Sequence, residues 1–257
     1  MKFVVWRSLA RAAVLESIRR KDLWVVAILG FLIIASAGTL GLFGFGGLES
    51  FAKDLAVTVL GIFSTIVAVL TSCRMLPEEI RNRTLYPLLA RPISRFDLVF
   101  GKFLGAVAVT WIGFLMLGAM SALALSMFHV RFEIVMLQYV VLKMLGLAVL
   151  CAVGIAFSAF MTPSAAATLA FIFAFGSGVM IRALVMAGQA SPQLQPVMLS
   201  LNALLPQFGL FDVGSRVANE GWPPVGLWVV GVLLGYAVLY SGAMLALAWL
   251  RFRRQAI

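Results

Sequence analysis

Lys143 and Arg182 each stand about a turn or more inside a long apolar stretch of this 257-residue sequence, where an unpaired charge is costly and marks a functional site by default. Two chemistries suit them. They could line a pathway for an anionic substrate or a lipid headgroup, or their long side chains could snorkel to the headgroup layer with no further role. Metal chemistry finds less to work with, because one His, His129, and two distant cysteines, Cys73 and Cys151, do not make a ligand set. Met116 and Met120 share a helical face that would suit copper(I), and apolar packing accounts for the same residues. Cys73 and Cys151 fall at different depths of their stretches, which disfavours a disulfide and predicts two small buried side chains.

Absences narrow the chemistry further. None of the apolar stretches holds an Asp, Glu or His, the groups with which a proton- or sodium-coupled carrier binds its ion. No glycine-rich phosphate loop is present, since Gly101-Lys102 precedes Phe103 and lacks an upstream glycine. The expectation is a chain that is not an enzyme, binds no cofactor of its own and draws its energy from elsewhere.

The elements that must position these residues are membrane spans. The sequence is 63% hydrophobic and 12% charged, against roughly 45–50% and 25% in soluble domains. At roughly 20 residues per span, six fit: Leu23 to Leu42, Leu55 to Cys73, Phe103 to Phe128, Leu137 to Met161, Ala165 to Ala187 and Gly226 to Leu250. The reading is an all-α polytopic protein with one membrane domain over 1–257. Fifteen of the twenty basic residues fall in its inner segments, and the other five (Lys53, Arg131, Lys143, Arg182, Arg216) are balanced by Glu49, Asp54, Glu133, Asp212 and Glu220. The formal charge of +10 therefore follows membrane topology and not nucleic-acid binding, and it puts both termini in the cytoplasm. Six Lys or Arg among the first 22 residues, with no uninterrupted apolar core before Leu23, predict a retained N-terminus and no cleaved signal.

Three segments outside the spans carry pattern. In 1–22, Phe3, Trp6, Ala10, Ala13 and Ser17 recur at helical intervals beside Arg7 and Arg11, as in a helix lying in the inner interface. In 74–102, the longest cytoplasmic loop, Pro77 suits a first helical position, Glu78 and Glu79 would complement the dipole of a helix starting there, and Pro92 breaks it. Ser94 with Asp97 then has capping-box spacing and starts the helix that becomes the third span. The outer segment 188–225 is too long for a turn and too apolar for a solvated loop. Leu194, Val197, Met198, Leu201, Leu204 and Leu205 follow helical spacing after Ser191-Pro192, which predicts short helices on or dipping into the outer leaflet. Small residues in Gly41 to Gly47, Ala165 to Ala167 and Gly176-Ser177-Gly178 mark places where helices could approach closely, within one subunit or at a dimer seam.

The loop residues Glu78-Glu79, Arg83-Thr84-Leu85, Leu88-Leu89, Arg91-Pro92-Ile93-Ser94-Arg95 and Gly101-Lys102, in that order, resemble the signature of type-2 ABC exporter permeases. Leu204-Leu205-Pro206 with Phe208 and Phe211-Asp212 resembles the outer segment of the subgroup that includes the permease of the nitrous-oxide-reductase copper-maturation transporter. The resemblance implies a multi-pass permease of the bacterial inner membrane. It implies a homodimer whose loops dock on a separate cytoplasmic ABC ATPase, which would bind the ATP and Mg. Glu78, Glu79, Arg83, Thr84, Pro92, Ser94 and Arg95 are then the candidate coupling residues. Two other readings share the same spans: a non-transport membrane scaffold, and a subunit that delivers force to a periplasmic partner.

Overall fold

The computed structural model describes residues 2–19, 24, 28, 30–31, 48–81, 94–127, 133–190, 195–218 and 222–254. Among these residues the chain is all helical, with no strand. In order, α1 is Lys2–Arg19, α2 Leu48–Arg81, α3 Arg95–Met127, α4 Ile134–Phe160 and α5 Pro163–Ala190. The outer segment holds α6, Gln195–Leu204, a 3-10 turn at Phe208–Phe211 and α7, Gly214–Ala218, before the last long helix α8, Leu227–Arg254. Five of these, α2, α3, α4, α5 and α8, are long and apolar enough to cross a membrane. They correspond to the expected second to sixth spans, and they overrun them because a helix need not stop where the hydrocarbon does. The expected first span, Leu23 to Leu42, lies outside the described residues except for Trp24, Ile28, Gly30 and Phe31.

The helix α4 is the centre of the bundle and touches α2, α3, α5 and α8. Its most apolar stretch is 61% buried, against 11% for α5 at the edge. The sequence accounts for its place. Gly146, Cys151, Ala152, Gly154, Ala156 and Ser158 keep α4 slender on several faces, so neighbours approach all round. Phe211 from the 3-10 turn sits 1% exposed against Gly146, where a Cβ would meet the Phe211 Cβ at 2.9 Å. On another face, a Cβ at Gly154 would collide with the Ser72 side chain. The small residues that close the bundle are therefore not all those the sequence suggested. Ala166 is fully buried, but a Cβ at Gly178 would meet nothing within 4 Å, and Gly41 to Gly47 lie outside the described residues. Cys73 and Cys151 are free and fully buried, as expected of small apolar side chains.

Pro77 departs from expectation. It does not open a new helix but sits inside α2, which continues to Arg81. An interior proline has no N–H for the carbonyl four residues back, here Cys73, at a cost of about 3 kcal/mol. Tertiary packing offsets it, with Cys73 and Leu76 of the turn before Pro77 at 0% and 2% exposure. The dipole argument for Glu78 therefore does not apply, because it does not stand in the first turn of a helix.

Candidate functional site

The polar side chains that engage several elements at once gather where α3 begins. Ser94 is the residue before α3, and its hydroxyl accepts from the Asp97 backbone N–H at 3.1 Å. The same hydroxyl donates to Asp97 Oδ2 at 2.5 Å, and its backbone carbonyl accepts from Leu98 N at 3.2 Å. This is the capping arrangement the spacing predicted. Asp97 does more than cap, because its other oxygen, Oδ1, accepts from the indole N–H of Trp6 on α1 at 2.9 Å. The carboxylate is 7% exposed and thus joins α1 to α3 from a protected position.

The apolar half of the same contact explains the Gly101 of the loop motif. Trp6 packs edge-on to Phe100, ring centroids 4.7 Å apart. One turn on, a Cβ at Gly101 would stand 2.6 Å from Leu9 Cδ1, and one at Gly105 would stand 2.7 Å from Ala13 Cβ. Only glycine lets α1 lie this close. Leu9 and Ala13 are accordingly buried among the described side chains of α1, while Leu15 is 48% exposed.

Arg95 turns the other way. One guanidinium nitrogen donates to the carbonyls of Phe252 and Arg253, 3.0 Å each, at the end of α8. The last carbonyls of a helix lack internal partners and carry its negative dipole end, so a cation there is favourable. Phe96 meets Trp249 edge-on at 6.3 Å beside it. Three polar residues within four positions, Ser94, Arg95 and Asp97, thus tie α1, α3 and α8 together at the basic end of the bundle.

The other candidate residues are distributed as follows. Glu78 is half-buried at the end of α2. The side chain of Glu79, and all of Arg83, Thr84 and Pro92, lie outside the described residues. At the opposite end Lys143, 13% exposed on α4, makes an ion pair with Asp212 at 2.8 Å. Burial pushes the Asp212 carboxyl up, but the Lys143 charge, its hydrogen bond and the Gly214 N–H at 3.1 Å outweigh that and hold it below the ordinary carboxylate value. Gln138 pairs with both backbone groups of Val225, at 2.8 Å each, and Tyr236 Oη accepts from Gln207 N at 3.2 Å. The outer segment is thereby fastened to α4 and α8. Arg182 is exposed on α5. Nothing in the local sequence pointed to Asp212 as the partner of Lys143, 69 residues away; the Asp97 tie to Trp6 had only the aromatic on the α1 stripe as a signal.

No cluster of three or more His, Cys, Asp or Glu that could hold a metal occurs among the described residues. The arrangement can brace helices and transmit displacement between them. Residues 7–256 match the sequence pattern of the ABC-2 family transporter proteins. The chain belongs to that family. A search among curated proteins finds no match. As an ABC-2 membrane chain with several apolar spanning helices, it is a multi-pass membrane protein of permease type, and the family implies an ABC ATPase as its partner. The match takes in the junction of α1, α3 and α8 and the outer segment.

Proposed function

We propose that this ABC-2 chain is the membrane-spanning subunit of an exporter, that two copies form the translocation pathway, and that the segment from Pro77 to Arg95 couples it to a cytoplasmic ATPase. The bilayer is the bacterial inner membrane and both termini face the cytoplasm. ATP and Mg belong to the partner. The observation that carries the coupling role is the junction at Ser94, Arg95 and Asp97. A push on the loop reaches α3 at its first residue, α8 through the Arg95 bonds to Phe252 and Arg253, and α1 through the Asp97 bond to Trp6. The family match does not single out the copper-maturation subgroup, and no cargo is assigned.

The test is Glu79→Lys in the reconstituted complex, with ATPase binding, ATP hydrolysis and transport measured together. Charge reversal at an interface disturbs assembly and register, so the variant should insert normally yet lose ATPase binding or uncouple hydrolysis from transport. The matched charge-reversal control is Asp54→Lys, exposed near the other end of α2. Lys53, 2% exposed, would disturb the fold instead. Normal assembly and coupling in the Glu79 variant, with cross-links to the ATPase confined to the termini, would leave the loop as a linker. Saturable ATP binding by the purified chain alone would overturn the permease reading.

A further inference from the structure

Between the basic end of α2 and the start of α5 lies a cavity of about 540 Å³, within the roughly 300–1,000 Å³ range of ligand clefts. Its walls change character with depth on both helices. On α2, Leu70 lies one turn deeper than Arg74, and on α5, Ala167 lies one turn deeper than Ser164. The membrane side of the cavity is therefore apolar and its rim polar. A water-soluble ligand would leave the Leu70 and Ala167 wall unmatched, and a plain hydrocarbon would leave Arg74 and Ser164 unmatched. An amphiphile matches both.

The rim selects the headgroup. Arg74 and Ser164 are both exposed, and the Ser164 hydroxyl lies 3.4 Å from that of Thr162. A guanidinium with neighbouring hydroxyls is a donor set for phosphate oxygens. Glu78, on the far lip, already has a polar interaction of its own. The most apolar stretch of α5 is only 11% buried among the described residues, which leaves that wall open for a lipid to enter sideways.

We infer that this cavity holds a membrane phospholipid, its phosphodiester on Arg74 and Ser164 and the first carbons of its chains against Leu70 and Ala167. The lipid sits beside Pro77, at the root of the α2 extension.

The experiment uses the full chain, purified in detergent and delipidated, then titrated with phosphatidylglycerol, diacylglycerol or inorganic phosphate, with bound molecules counted by native mass spectrometry. The wild type should hold one phosphatidylglycerol that Arg74→Ala binds about ten-fold more weakly, the worth of one charge-assisted contact. Ala167→Phe, which fills the cavity and leaves the charge in place, should show the same loss. Arg7→Ala, exposed on α1 and outside the cavity, should bind as the wild type does. Retention of phosphatidylglycerol by Arg74→Ala or by Ala167→Phe at wild-type affinity overturns the inference. So does equal binding of diacylglycerol, or displacement of the lipid by inorganic phosphate.

Discussion

Arg95, the first residue of α3, donates to the carbonyl of Phe252, 157 positions along the chain, at 3.0 Å, and to that of Arg253 beside it. The bond joins the start of α3 to the end of the last helix. Arg95→Ala should destabilise the chain by about 1.5–3 kcal/mol, the range for hydrogen bonds to charged groups. Arg95→Lys should restore only part of this, because the flexible ammonium is a more strongly hydrated donor than the guanidinium. Thermal unfolding in detergent reads the effect. Wild-type stability in Arg95→Ala would mean that α8 is held by other contacts.

The approach of α1 to α3 depends on the missing side chain at Gly101. Gly101→Leu should force Leu9 away and cost about 1–3 kcal/mol, as over-packing does. Leu9→Ala in the same chain should recover part of the loss, since the clash falls on Leu9 Cδ1 and Cβ. Limited proteolysis within α1 measures both, and equal protection of wild type and Gly101→Leu would contradict the packing.

Lys143 and Asp212 should behave as a coupled pair. Asp212→Asn leaves a cation 13% exposed and without its ion partner. Because Asp212 itself is 49% exposed, the coupling should fall near the solvent-accessible end of the scale, about 1 kcal/mol. A double-mutant cycle with Lys143→Ala isolates that value from the single losses. Additive single effects would show that the pair contributes nothing of its own.

The pH dependence of the same pair has a definite sign. The folded carboxyl is held below its ordinary value, so its stabilisation is present above the unfolded value, about 3.9, and is lost as pH falls through the lowered folded one. The difference in unfolding temperature between wild type and Asp212→Asn should be constant from about pH 8 to pH 5 and shrink only below about pH 4. A difference that already fades near neutral pH would exclude Asp212 as its source.

Topology is checked by single cysteines at Ser94 and Arg254, which should be labelled only from the cytoplasmic side, and at Pro223, which should be labelled only from outside. The basis is the fifteen-to-five division of basic residues. Labelling of Ser94 from outside would invert the orientation.

What the sequence determined by itself was everything that depends on composition and short-range spacing. The apolar stretches placed the five described spanning helices, because backbone in hydrocarbon must satisfy its own hydrogen bonds within the segment. Ser94 and Asp97 announced the start of α3, since a capping pair acts within one turn. The ordered loop residues pointed to the family that the match over 7–256 shows. Local rules misled at Pro77, where the propensity of one residue was outweighed by burial of its neighbours, a quantity no short window contains. They were silent on the partners of charges. Whether Lys143 snorkels or pairs depends on where Asp212 comes to rest, and whether Arg95 faces solvent or α8 depends on a helix end 157 positions away. Those contacts are set by how α4 gathers the other helices, because an electrostatic partner is chosen by distance in space and not by distance along the chain.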